Sequence, residues 1–367
     1  MQDFVKNRAR REIFKLKPYT PGKPIDEVKR ELGLSDIIKL ASNENPLGPS
    51  PRAAAAISSM LSKIHLYPDA NCFELKKRLA DIYDMPAAGI LIGNGSDELL
   101  KLLAETFLTS DDQIIYAQPT FSEYEFAALI MGAECVEVPL DNFTHDLQAM
   151  ADAITPKTKM VVVCNPNNPT GTIVNAGQLQ EFMDQIPDEV LVVFDEAYCE
   201  YVESPEYTSG LKYVKEGRNA IVLRTFSKIY GLAALRAGYA LTGTGIARAL
   251  ERVMEPFNVN SLAQVGALSA LDDQDHLQKS QELNSRGKQF LYNEFDRLGI
   301  KYVPTEANFI FLDTGQNCQD VFKGLLRLGV IVRTGDIFGF PTYIRVTVGT
   351  AEQNQRFIDS LQKVLHK

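Results

Sequence analysis

Short runs of apolar, largely β-branched residues recur at 90–92, 113–116, 135–139, 159–164, 190–194, 220–225 and 237–241. Between them lie segments of helical periodicity such as 97–108, 122–131 and 176–185. Strands that are apolar throughout are buried on both faces, and the intervening helices supply the cover. The pattern predicts an α/β fold built on a mostly parallel sheet. In such a fold ligands bind beyond the carboxyl ends of the strands. Several polar, glycine-rich strings in this chain follow strands directly.

A compositional change begins near Pro256. A long polar helical stretch at 274–298 leads into a compact α+β unit. Its expected parts are strands at 308–312, 330–332 and 344–348 and helices at 318–328 and 351–365. A chain of 367 residues is long enough for two cores. The division expected is an N-terminal arm and part of the small domain at 1–45, a large domain at 46–260 and a small C-terminal domain at 261–367.

The formal net charge of −9 comes with scattered basic residues, so no cationic stripe for nucleic acid is expected. The five cysteines are odd in number and far apart, which reads as reduced thiols, with Cys135 and Cys164 buried in strands. The four histidines form no cluster, so no metal site is expected. No apolar window approaches the ~18 residues of a membrane span. The N-terminal stretch lacks the apolar core of a signal peptide, so a cytoplasmic location is expected.

The chemistry concentrates in a few strings. In LRTFSKIYGLAALRAGYA (223–240), Lys228 follows a strand end and has Thr225, Ser227 and Arg236 nearby. Hydroxyls and a guanidinium suit a phosphate, and a desolvated lysine is a nucleophile; a solvated surface lysine with a structural arginine fits the same residues. LVVFDEAY (191–198) sets Asp195 after apolar strand residues, as a helix cap or as a carboxylate aimed into the cleft, with Tyr198 close behind. CNPNNPTG (164–171) is a rigid turn that presents Asn168. In IGNGSDELL (92–100) the N–H groups of Gly95, Ser96 and Asp97 open a helix, a ready anion site. The glycines of LTGTGIA (241–247) lack the following βαβ unit of a dinucleotide loop.

Together with YTPGKP, KLASNENPLGPSP, YPD, PTFSEY, EANFI, VIVRTGD and IRVTVGT, these strings run in order through nearly the whole chain. The series resembles the fold-type I aminotransferases, and most closely the histidinol-phosphate aminotransferase family. The resemblance implies a large domain with a mostly parallel seven-stranded sheet, a smaller α+β domain, and pyridoxal 5'-phosphate as cofactor. It implies Lys228 as the Schiff-base lysine, Asp195 as partner of the pyridine nitrogen, and Asn168 and Tyr198 at the ring oxygen. Gly95, Ser96, Asp97, Thr225, Ser227 and Arg236 then form the phosphate cup, and Phe121 stacks on the ring. Tyr67 matches the tyrosine that reaches the cofactor phosphate of the neighbouring subunit, which implies a homodimer with shared sites.

On the substrate side, Arg345 matches the carboxylate clamp, Asn45 and Asn308 site-lining residues, and Tyr19 and Arg333 the groups facing a distal phosphate. The implied reaction is amino transfer between L-glutamate and imidazole acetol phosphate in histidine biosynthesis. The usual GLAGLR is GLAALR here, with Ala234 in place of glycine. An aromatic amino-acid aminotransferase uses the same framework and stays open as an alternative. A non-catalytic relative would be expected to lose Lys228 or Asp195, and both are present.

Overall fold

The computed structural model describes residues 2–16, 25–34 and 36–366. After a short strand β1 (Ile38–Lys39), seven strands build one sheet: β2 (Ile90–Gly93), β3 (Gln113–Gln118), β4 (Glu134–Pro139), β5 (Thr158–Cys164), β6 (Leu191–Asp195), β7 (Ala220–Thr225) and β8 (Gly238–Thr242). They lie in the order β2-β8-β7-β6-β5-β3-β4, with β8 antiparallel to both neighbours and every other pairing parallel. The expected mostly parallel seven-stranded sheet is therefore present. Each of its strands lies within two residues of a run read from the sequence. Helices cover both faces, burying Val161, Val163, Val192 and Phe194 on one side and Val162, Val193, Ile221 and Leu223 on the other. Cys164 is buried as expected, but Cys135 is only partly so, because β4 is an edge strand with one side open to solvent.

Register brings the three central strand ends level: Cys164 pairs with Asp195, and Asp195 with Leu223. The residues that leave these ends thus emerge side by side on one rim. β8 brings a glycine to the same rim, where Gly238 pairs with Thr225 of β7 and Gly93 of β2. A Cβ on Gly238 would lie 2.6 Å from the Ser96 nitrogen and 3.0 Å from the Arg224 carbonyl oxygen. The missing side chain lets the N-terminus of the helix Ser96–Phe107 settle directly on the sheet.

The smaller unit holds β9 (Lys301–Val303), β10 (Phe309–Asp313), β11 (Val330–Ile331), β12 (Arg333–Thr334) and β13 (Tyr343–Thr347). Four of them form an antiparallel sheet in the order β12-β13-β10-β9, while β11 pairs in parallel with the early strand β1. Helices Cys318–Arg327 and Ala351–Leu365 pack against it around Leu325, Phe357 and Leu361. The polar stretch at 274–298 is a single 25-residue helix, Gln274–Leu298, ended by Gly299 in the left-handed conformation. Among the described residues no helix is long and apolar enough to cross a membrane.

Substituting Gly238→Ala forces a methyl group against backbone atoms of two neighbouring elements, which cannot rotate away. We expect a loss of about 1–3 kcal/mol in urea unfolding. An unchanged midpoint would show that the helix start is free to shift.

Candidate active site

The cleft lies on the rim where β5, β6 and β7 end. A cavity of about 720 Å³ there is lined by Asp195, Tyr198, Lys228, Arg236, Arg333 and Arg345, among others. Asp195 is the last residue of β6 and only 3% exposed. One carboxylate oxygen (Oδ2) accepts the Tyr124 hydroxyl at 2.6 Å, and the other (Oδ1) accepts the Ala197 N–H at 3.2 Å. Burial pushes this carboxyl up to about 6, while those two hydrogen bonds act in the opposite direction.

Lys228 enters from the loop after β7. Its Nζ donates to the Ser42 carbonyl at 3.2 Å and lies 5.6 Å from the centre of the Tyr198 ring. Burial, followed by the positive charge of Arg345, lowers its amine to about 8. A lysine near neutrality is poised both to attack a carbonyl and to carry a proton.

A cluster of hydroxyls, backbone N–H groups and one guanidinium sits beside it. Arg236 takes a left-handed conformation (φ 55°), and its guanidinium donates to Asp97 Oδ2 at 2.8 Å and to Ser227 Oγ at 3.3 Å. Gly95 has φ 84°, a conformation that calls for glycine, and a Cβ there would lie 2.7 Å from Arg236 Nη2 and displace the guanidinium. The helix Ser96–Phe107 starts at this point and turns its first N–H groups into this cluster. Thr225 Oγ1 accepts the Ser227 N–H at 3.0 Å, which folds the loop back on itself. Gly95, Ser96, Asp97, Thr225, Ser227 and Arg236 are thus brought together at one end of the cavity.

The smaller sheet closes the other side. Arg345 of β13 donates to Asn168 Oδ1 and, at 2.9 Å, to the Ala41 carbonyl. Its guanidinium stacks over Phe309 at 5.1 Å and Phe338 at 5.9 Å. Arg333 of β12 lies directly opposite Arg345 in the strand register. Phe121 lines the cavity edge-on to Tyr124, with ring centroids 5.8 Å apart. Among the described residues no group of histidine, cysteine and acidic side chains is arranged to hold a metal.

Residues 35–361 match the family model of aminotransferase class I and II. The histidinol-phosphate aminotransferase of Moorella thermoacetica is 58% identical over 359 residues, covering 98% of this chain and 93% of that protein. The enzyme of the same name from Caldicellulosiruptor saccharolyticus is 48% identical, covering 97% of this chain and 99% of that protein. The crystal structure of histidinol-phosphate aminotransferase from Sinorhizobium meliloti, in complex with pyridoxal-5'-phosphate, matches with a TM-score of 0.90 at 25% identity and 98% coverage of each chain.

The chain belongs to the histidinol-phosphate aminotransferase family, within the class I and II aminotransferases.

Three further candidate residues of this aminotransferase, Asn45, Asn308 and Tyr67, do not line the cavity. Asn45 turns away, its amide nitrogen bonded to the Ile229 carbonyl at 2.6 Å and to Ser280 Oγ at 2.9 Å. Asn308 lies one layer back, where it donates to the Asn43 carbonyl at 3.0 Å. Tyr67 is 83% exposed and stacks on Phe257, with centroids 4.7 Å apart. Tyr19 lies outside the described residues.

Three residues that carry the geometry were not singled out in the sequence. Asn43 donates to the Tyr198 hydroxyl oxygen at 3.0 Å and takes the place in the SNENP turn that the sequence reading gave to Asn45. Ser42 supplies the carbonyl on Lys228. Tyr124 falls within PTFSEY, but nothing in a one-dimensional string tells a core tyrosine from one aimed at a carboxylate.

The lowered amine gives a direct test. With its amine lowered to about 8, Lys228 should be protonated and unreactive below that pH and reactive above it, whereas a solvated lysine titrates at about 10.4. Acetic anhydride labelling of the cofactor-free protein, read residue by residue by mass spectrometry, should give Lys228 a midpoint near 8. A midpoint in the ordinary lysine range would show that the cavity does not desolvate it.

Proposed function

We propose that this aminotransferase moves an amino group between the L-glutamate/2-oxoglutarate pair and the imidazole acetol phosphate/L-histidinol phosphate pair, the transamination of histidine biosynthesis. Its cofactor is pyridoxal phosphate, and the donor set suits that molecule. The cup of Ser96, Thr225, Ser227 and Arg236 fits the phosphate, a buried carboxylate at Asp195 fits a ring N–H, and Tyr198 with Asn168 fits the ring oxygen. When bound, pyridoxal phosphate supplies the electron sink for charge that develops at the substrate Cα.

The protein's own contribution is positioning and proton handling. Lys228 would hold the cofactor, and its freed amine would move a proton between the substrate Cα and the cofactor carbon that takes up the amino group. An amine near 8 serves as both base and acid at neutral pH. Asp195 keeps a proton on the ring nitrogen. Arg345 presents a planar fork to the anionic group of either substrate, held in orientation by Asn168, the Ala41 carbonyl and two aromatic faces.

The observation that carries the choice of substrate is the pairing of Arg333 with Arg345 across β12 and β13. Residues directly opposite in an antiparallel pair project from the same face, and both arginines line the cavity that holds Lys228. Two adjacent guanidiniums suit a phosphate dianion, while an aromatic acceptor with a single carboxylate has use for one.

A homodimer with shared sites completes the reading. Tyr67, Ile64, Leu66 and Phe73 are each more than half exposed, an apolar surface of the kind that partners cover. In the proposed assembly Tyr67 reaches the cofactor phosphate of the second subunit. Light scattering should give twice the 40.8 kDa chain mass, and a monomer that retains full activity would overturn shared sites.

The substrate test compares imidazole acetol phosphate with phenylpyruvate, using L-glutamate as donor. In Arg333→Ala we expect kcat/KM for the phosphorylated acceptor to fall about ten- to hundredfold, the worth of a charge-assisted contact. Phenylpyruvate should lose less than about threefold. Equal or better use of phenylpyruvate by the wild type, with little effect of the substitution, would identify an aromatic aminotransferase instead.

A further inference from the structure

Tyr124 is 1% exposed, on the helix Glu123–Met131, in a slot between aromatic rings. Phe121 meets it edge-on at 5.8 Å, and Tyr116 lies tilted at 6.4 Å. A core position of this kind would be filled equally well by phenylalanine, so the hydroxyl needs its own account. That hydroxyl donates to Asp195 Oδ2 at 2.6 Å, while the Cys164 thiol at the end of β5 donates to the Pro166 carbonyl at 3.5 Å. Burial and the neighbouring carboxylate hold the phenol proton firmly in place, so Tyr124 acts toward Asp195 as a neutral donor.

A carboxylate has two oxygens and about four lone-pair directions. At Asp195 one direction is taken by the Ala197 N–H and one by Tyr124. The remaining directions are available to a donor in the cavity that Asp195 lines. Asp97 and Glu196, both acidic, also act on this carboxyl and favour its protonation. A proton taken up by Asp195 would remove the acceptor that a ring N–H needs. The Tyr124 hydroxyl acts against that uptake.

We propose that Tyr124 is a positioning residue, whose hydroxyl fixes the plane of the Asp195 carboxylate and keeps it an ionised acceptor for the cofactor's ring nitrogen. The inference rests on the reading that Asp195 pairs with that nitrogen. It also gives PTFSEY a double role, since Phe121 faces the cavity and Tyr124 orients the group beneath it from the same segment.

The test is a double-mutant cycle on cofactor binding. Pyridoxal phosphate is titrated into cofactor-free wild type, Tyr124→Phe, Asp195→Asn and the double variant, and dissociation constants are read from absorbance. The phenylalanine keeps the ring in its slot, and circular dichroism checks that each variant is folded. We expect Tyr124→Phe to weaken binding about tenfold or more in the wild-type background and less than about twofold in the Asp195→Asn background. The pH midpoint of the bound cofactor's visible band should move between wild type and Tyr124→Phe. It should stay in place between Asp195→Asn and the double variant. Equal losses in both backgrounds, or no loss in either, would overturn the inference and leave Tyr124 a packing residue. An Asp195→Asn variant that binds as the wild type does would instead overturn the role of Asp195, and wild type that fails to bind would overturn the cofactor reading itself.

Discussion

The arrangement of the site depends on one buried ion pair. Arg224 near the end of β7 and Glu196 just beyond β6 meet at 2.8 Å, with side chains 10% and 2% exposed. A second guanidinium nitrogen reaches the same carboxylate oxygen at 3.1 Å. Glu196 also accepts the Ser209 hydroxyl and the Gly210 N–H, while Arg224 donates to the Tyr83 hydroxyl at 2.9 Å. Desolvating two charges is costly, and such a pair persists only where nearly every lone pair and N–H is used. Here they are used, and the result is a pin across the ends of two central strands.

That pin works because side chains alternate along extended backbone. Asp195 and Glu196 are consecutive, as are Arg224 and Thr225. One member of each couple joins the pin below the rim, and the other lines the cavity above it. Acidic and basic residues that look like a charged cluster in the sequence are therefore sorted onto two levels. The lower level holds strand ends in place, and the upper level lines the cavity.

The same alternation explains what could be read from the chain and what could not. Strands β5, β6 and β7 were legible because continuous apolar runs have few other homes than the centre of a covered sheet. Lys228, Asp195 and Arg236 were legible as a set because their strings follow strand ends, where a doubly covered sheet leaves its only opening. The strands β1, β9 and β12 are two or three residues long, too short for any periodicity to register. Asn45 and Asn43 illustrate a different limit. They share one turn two residues apart, and the positive φ of Asn43 turns its amide toward Tyr198 while Asn45 is spent on Ser280 and Ile229. Composition cannot rank two asparagines in one turn. Tyr124 shows the third limit, since its partner lies 71 residues away and is brought to it only by the order of the sheet.

The two sheets meet through Arg345, and this brings its charge to bear on the lysine. Arg345 bonds Asn168 from the turn after β5 and the Ala41 carbonyl from the segment after β1, so its fork is fixed from both sides. After burial, its positive charge is the principal cause of the lowered amine of Lys228. An anion seated on Arg345 cancels that charge as seen from Lys228, and the amine then holds its proton more tightly. Anion binding at Arg345 and the protonation of Lys228 are therefore linked electrostatically.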